Sequence, residues 1–239
     1  MAVSAMPCWR GIPDNEHMYP LHLKHGHLFV QIDNELWLLD TGSPESFGER
    51  SALCMQGRVF QLPKNYQGMS VADLSGYTQV ECVGLIGADI IGLFDLLIDV
   101  PAGLVDFMTE STPFDGREIS VAHFMGIPVI ETMVAGQPVE MFFDTGSQLT
   151  YVQDGILQDF PEAGLMQDFY HGYGEFNVNT HFVPVVIGQR PYNVRCGELP
   201  GLLGDSVLSK GPRGIMGTEW LTDCRIGYFP GRGVIVIDP

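Results

Sequence analysis

The sequence predicts an all-β protein made of two similar halves, and three observations carry that prediction. The chain of 239 residues holds 29 Gly and 16 Pro, and its apolar segments are short, with turn residues between them. The tetrapeptide Asp-Thr-Gly-Ser occurs twice, as Asp40-Thr41-Gly42-Ser43 and Asp144-Thr145-Gly146-Ser147, each at the end of a short apolar run. Each copy is answered later by an apolar-apolar-Gly segment, Leu85-Ile86-Gly87 and Ile215-Met216-Gly217.

The two halves share one order of elements. Residues 28–40 read as a hairpin with its turn at Asp33-Asn34, running into the first Asp turn. Residues 130–144 have the same form, turning at Gly136-Gln137. A middle of variable length follows, then the apolar-apolar-Gly segment and a short helix. A last hairpin closes each half, over 96–107 with Pro101-Ala102-Gly103 at its turn and over 225–237 with Pro230 to Gly233 at its turn. The second middle is longer by about one hairpin, for which residues 169–176 and 182–192 are the strand candidates. The polar stretch around 111–119 breaks strands and divides the chain into lobes 1–115 and 116–239.

Composition narrows the function. At 45% hydrophobic the chain can bury a sizeable core. Its 12 Lys+Arg against 29 Asp+Glu give a net charge of −17, which argues against nucleic acid or an acidic membrane as partner. The start has no basic stretch followed by an apolar one, and no run of about 18 apolar residues occurs, so neither a signal peptide nor a membrane span is expected. A cytoplasmic location is the corresponding expectation. Five cysteines without a C-x-x-C spacing read as reduced, buried thiols, with Cys82 and Cys196 in core contexts rather than as nucleophiles. His22, His25 and His27 read as solvated strand histidines, so no metal site is expected. Gly-x-Ser-x-Gly, phosphate-loop and dinucleotide-binding patterns are absent, and no cofactor is expected.

The paired Asp-Thr-Gly and apolar-apolar-Gly marks resemble those of aspartic proteases. The likeness is to the retropepsin-like group, with two copies fused in one chain as in pepsin-like enzymes, and Gly217-Thr-Glu-Trp-Leu is similar to proteases of retroviral-type transposons. The resemblance implies a bilobal acid-protease fold, with two pseudo-twofold-related β-barrel-like lobes and a cleft between them. It implies an endopeptidase acting on peptide or unfolded protein, with Asp40 and Asp144 as the catalytic dyad. The chain supplies both aspartates, so activity as a monomer is expected. Two other readings are a non-catalytic peptide-binding module on the same fold and an enzyme active only as a dimer.

The chemistry explains the residue types. Two carboxylates about 3 Å apart cannot both ionise cheaply and share one proton, as the general illustration of the aspartic-protease dyad has it. Gly42 and Gly146 let the backbone turn without a Cβ clash and aim amides at the carboxylates. Thr41 and Thr145 place hydroxyls behind the turns, and the resemblance implies that each bonds across to the other lobe. Ser43 and Ser147 can donate to the outer carboxylate oxygens, lowering the pKa, and an acidic optimum, about pH 3–6, is expected. Tyr173, in Gly172-Tyr173-Gly174, and Tyr66 are the candidates for an aromatic on a flap over the cleft.

Overall fold

A computed structural model describes residues 18–109, 113–153, 155–208 and 211–238. Cys8, the N-terminal ten residues and part of the predicted interlobe stretch, 110–112, lie outside the described residues.

The fold is all-β and bilobal, and its two halves meet in one antiparallel sheet of six strands. Their order is Met18–Lys24, Leu104–Met108, Asp95–Asp99, Arg225–Phe229, Val234–Ile237 and Arg117–Phe124. The pseudo-twofold passes between the two central strands, where Leu96 faces Tyr228 and Asp99 faces Arg225. The closing hairpins of the two halves thus supply the four inner strands, and the first strand of each half supplies an outer one. Side chains on one face of this sheet, including Leu96, Phe107, Ile226 and Ile235, are buried in a hydrophobic cluster that also takes in residues of both lobes.

Each outer strand runs on into its own lobe. Met18–Lys24 pairs with His27–Ile32, and Arg117–Phe124 pairs with Ile127–Val134. The turns between them, His25-Gly26 and Met125-Gly126, have positive φ at both residues, as a two-residue hairpin of the right twist demands. The next hairpins lead to the Asp turns, through His27–Ile32 and Glu35–Leu39 in the first lobe and Ile127–Val134 and Gln137–Phe143 in the second. Asp33-Asn34 makes the first turn as predicted; the second turns at Ala135-Gly136, one residue before the predicted pair. The shift follows from backbone geometry, since Gly136 with φ +80 takes the second left-handed position and Gln137 already pairs with Val134.

The last three residues of Glu35–Leu39 and of Gln137–Phe143 are apolar and buried because both faces of the strand are covered there. In the first lobe Phe29, Leu38 and Leu85 pack under the helix Val71–Thr78, while Val30, Trp37 and Leu39 face the central cluster. In the second, Val129, Phe142 and Ile215 pack under the helix Gly201–Leu208, while Ile130, Met141 and Phe143 face the centre. Ser70 and Asp73 form a capping box that starts the first of these helices.

The extra length of the second half is one long meander of three strands, Glu162–Tyr170, Gly174–Ile187 and Arg190–Gly197. The predicted strand segments fall within it. The cysteine expectation needs correction at one position. Cys82, Cys196 and Cys224 are buried free thiols, but Cys54 lies exposed on the strand Ala52–Met55 and is disulfide-bonded.

Candidate functional site

Asp40 and Asp144 each stand one residue beyond a strand that pairs in parallel with the apolar-apolar-Gly segment. Glu35–Leu39 pairs with Gly84–Ile86, and the Asp40 amide donates to the Ile86 carbonyl at 3.0 Å. Gln137–Phe143 pairs with Gly214–Met216, and the Asp144 amide donates to the Met216 carbonyl at 3.0 Å. A third strand, Phe47–Gly48 or Thr150–Val152, runs antiparallel on the far side. The chain therefore leaves the Asp turn, loops back and brackets the apolar-apolar-Gly segment from both sides. Gly87 is held by its amide donating to Ser46 Oγ at 2.8 Å, and Gly217 by its amide donating to Thr150 Oγ1 at 3.2 Å.

The two turns interlock through their threonines. The Thr41 amide donates to Thr145 Oγ1 and the Thr145 amide to Thr41 Oγ1, both at 3.0 Å. Each hydroxyl passes its own proton onward, Thr41 Oγ1 to the Phe143 carbonyl at 2.6 Å and Thr145 Oγ1 to the Leu39 carbonyl at 2.7 Å. Both threonines are fully buried, so all four bonds lie away from water. Such bonds fix the separation of the turns because breaking one strands a polar group in the core.

That separation brings the side chains of Asp40 and Asp144 into hydrogen-bond contact with each other. Asp40 Oδ1 accepts from the amides of Gly42 at 2.9 Å and Ser43 at 2.8 Å. Asp144 Oδ1 accepts from those of Gly146 at 2.8 Å and Ser147 at 3.1 Å. Glycine is required by the neighbouring turn. A Cβ on Gly42 would stand 2.6 Å from Asp144 Oδ1, and one on Gly146 would stand 2.6 Å from Asp40 Oδ1. Both serines donate to the carboxylates as expected, through their amides. Ser43 Oγ donates to the Glu45 carbonyl and Ser147 Oγ to the Leu149 carbonyl, so only the serine amides reach the carboxylates. The hydroxyls are drawn two residues forward by the turn they sit in.

The electrostatics follow. Burial pushes the Asp40 carboxyl up to about 6 against the pull of the Ser43 and Gly42 amides. Burial, and then the charge of Asp40, drives Asp144 well above the ordinary carboxylate range. Both shifts favour keeping a proton on the pair, while the serine and glycine amides pull the other way.

Two hairpins, one from each lobe, meet each other, and one of them brings a tyrosine near this pair. From the second lobe comes the tip between Glu162–Tyr170 and Gly174–Ile187; from the first comes the small hairpin of Asn65–Tyr66 and Met69–Ser70. Tyr66 meets His171 of the long hairpin, ring centroids 5.5 Å apart. Tyr77, on the first-lobe helix, stacks on Phe169 at 4.7 Å and 11°. The predicted Tyr173 is at the tip but 48% exposed, with its ring against Phe176 of its own hairpin. The tyrosine near the aspartates is Tyr170. Burial, then the charges of Asp144 and Asp40, push its hydroxyl up to about 12. Sequence reasoning passed over it for the glycine-flanked neighbour. The signal available was hairpin register, since Gly172 and Gly174 take left-handed φ and Tyr170 is the last paired residue before the tip. Because stacked aromatic pairs contribute about 0.5–1.5 kcal/mol, Tyr77→Ala is expected to speed amide hydrogen exchange at the hairpin tip roughly threefold to tenfold. Exchange measured by NMR at residues 168–174 checks this.

The histidine expectation also divides. His25 is exposed in its turn, but His27 is buried against the second lobe. Among the described residues no group of three or more His, Cys, Asp or Glu side chains is arranged to hold a metal ion. Burial raises the thiol pKa of Cys82, Cys196 and Cys224, the opposite of what a nucleophile needs. No helix among the described residues is long and apolar enough to cross a membrane.

No family model matches the chain, and no curated protein matches it in sequence. Among solved structures it is similar to the basic 7S globulin of soybean, with a TM-score of 0.53 and 10% identity over 95% of this chain and 95% of that one. The protease of simian foamy virus also matches, with a TM-score of 0.29 and 15% identity over 40% of this chain and 96% of the viral one. The chain has an all-β, bilobal fold, and its likeness to the soybean globulin extends over 95% of its length.

Proposed function

We propose that the protein is an aspartic endopeptidase that works as a single chain on peptide or unfolded protein. One observation carries the reading above the rest: Asp40 and Asp144 touch, each held by the amides of its own turn and shielded by the other's glycine. A turn that only needed a capping aspartate would not be matched by a twin at contact distance across a pseudo-twofold.

The singly protonated pair has one carboxylate that accepts a proton and one carboxyl that donates one. A water between them loses a proton to the carboxylate as its oxygen adds to the peptide carbonyl carbon. The carboxyl protonates the carbonyl oxygen, giving a gem-diol. Collapse of the gem-diol breaks the C–N bond, the nitrogen leaves with a proton, and the pair returns to one shared proton. The two groups titrate together, so neither has a fixed role. The hairpins bearing Tyr66 and Tyr170 supply the cover that keeps bulk water out.

The working pH window opens where one carboxyl has ionised and closes where both have. With Asp40 at about 6 and Asp144 higher, activity rises as pH climbs toward about 6, the upper end of the range expected from the sequence. The test is cleavage of a denatured protein across pH 3–8, with gel filtration of the active fraction. Cleavage that a statine-type inhibitor blocks, eluting at monomer size, is the expected result. A folded protein that binds peptides but cuts none at any of these pH values would instead be a binding module. Activity confined to a dimer fraction would overturn the single-chain part.

A further inference from the structure

The pseudo-twofold is also broken at the hairpin turns that precede the two Asp turns. The turns His25-Gly26 and Met125-Gly126 are counterparts, with φ of 49 and 79 in the first and 54 and 85 in the second. They have opposite surroundings. Met125 is 82% exposed, and a Cβ on Gly126 would meet nothing within 4 Å. Gly26 instead presses on the second lobe, where a Cβ would stand 2.6 Å from Gln148 Cβ. Its carbonyl accepts from the Thr218 hydroxyl. The next residue, His27, is 2% exposed, and its Nδ1 lies 2.7 Å from the Gly146 carbonyl oxygen, 119 residues away. A carbonyl can only accept, so Nδ1 carries the proton.

We infer that His27 is a positioning residue that acts on Asp144 through the Gly146–Ser147 peptide. That one peptide group has His27 at its carbonyl end and Asp144 at its amide end, where the Ser147 N–H donates to Asp144 Oδ1. Hydrogen bonds in series polarise one another, so a donor on the carbonyl makes the amide a stronger donor to the carboxylate. Met125-Gly126, open to solvent, places no such group on the Asp40 turn. The arrangement makes two sequence-identical turns chemically unequal and favours the ionised form of Asp144 over what burial alone allows.

The same strut reaches the long hairpin. Gln148 Nε2 donates to Asp168 Oδ1 at 2.9 Å and to the Gln167 carbonyl at 2.9 Å, and the His27 ring faces Phe169 at 6.0 Å. Asp168 is buried and also accepts from the Tyr151 hydroxyl. The charged or titratable groups that face His27 are Asp168 from the hairpin and His25 from its own turn.

The test compares His27→Leu, which removes the donor, with His27→Asn, whose amide nitrogen reproduces the place of Nδ1. Carboxyl NMR titration of the dyad is the main readout, since a merely structural role would not move it. In His27→Leu the Asp144 titration is expected to shift up by about 0.5 pH unit, with His27→Asn returning close to wild type. The kinetic readout, which alone rests on the proteolytic reading, is a fall in kcat with little change in KM, recovered by His27→Asn. A folded His27→Leu protein with an unmoved dyad titration overturns the inference. Should that variant not fold, nitrogen NMR of wild-type His27 decides, because a deprotonated Nδ1 overturns it and a protonated Nδ1 supports it. If the wild type cuts no peptide while its dyad titration still answers to His27→Leu, the endopeptidase reading fails and the strut stands.

Discussion

Asp144→Asn is expected to abolish the proposed peptide cleavage, and Asp40→Asn to do the same, each with a loss of kcat of at least about 10³-fold, at the upper part of the range for removing a positioned acid–base group. The geometry explains why the fold survives. An asparagine oxygen at position 144 still accepts from the amides of Gly146 and Ser147, which hold Asp144 Oδ1 now. Its NH₂ then faces Asp40 and donates to it. That bond fixes Asp40 as an acceptor, and no proton is left between the two groups to give to a carbonyl. A single asparagine variant that cuts at the wild-type rate would remove the dyad from the mechanism.

The same substitutions change how stability depends on pH. Both aspartates are held above the ordinary carboxylate value, Asp40 at about 6 against 3.8. Between those values the folded protein binds more protons than the unfolded chain, so the slope of unfolding free energy with pH is negative. Stability contributed by the neutral pair is therefore complete below about pH 4 and is lost as pH rises through 6 and beyond. Either asparagine variant removes one of the two charges that must otherwise be buried together. Thermal melts from pH 4 to 8 should fall with pH in the wild type and run flatter in the variants. A wild-type curve that rises across this range would contradict the burial of the pair.

Much of this was legible in the sequence because the chain repeats itself. Asp-Thr-Gly-Ser and apolar-apolar-Gly appear once in each half, and a motif that recurs in order constrains its own partner. That is why the aspartates, both threonines and the closing hairpins fall where the pattern places them. The failures lie where contact between distant segments or the local register of a hairpin decides what a side chain meets. His27 looks like a solvated strand residue until the second lobe is laid over it, and its partner Gly146 belongs to the other half. Tyr173 looks like the exposed tip residue it is, but only hairpin register shows that Tyr170 is the one near the aspartates. The serines reach the carboxylates through their amides, while the turn geometry sends their hydroxyls to the carbonyls of Glu45 and Leu149. Residue type tells what a side chain can bond, and backbone direction tells what it meets.

Thr41→Val is the substitution that separates a fold held by packing from one held by its crossed threonines. Valine has nearly the volume of threonine and keeps the core filled. It strands two groups, the Thr145 amide that donates to Thr41 Oγ1 and the Phe143 carbonyl that accepts from it. Each buried polar group left without a partner costs about 1–3 kcal/mol, so the loss is roughly 2–6 kcal/mol. Against a typical total of about 5–15 kcal/mol this is a large fraction. For a chain of this size each kcal/mol lowers Tm by about 2–4 °C, and a fall on the order of 10 °C is expected. Thr145→Val strands the mirror pair, the Thr41 amide and the Leu39 carbonyl, and should cost about the same. Thr41→Ser keeps the hydroxyl and loses one buried methyl, worth only about 1 kcal/mol. Activity sharpens the distinction, since a serine retains the separation of the carboxylates and a valine does not. Denaturant melts of the three variants measure it. If Thr41→Val were no less stable than Thr41→Ser, the six-stranded sheet and not the crossed threonines would hold the aspartates together.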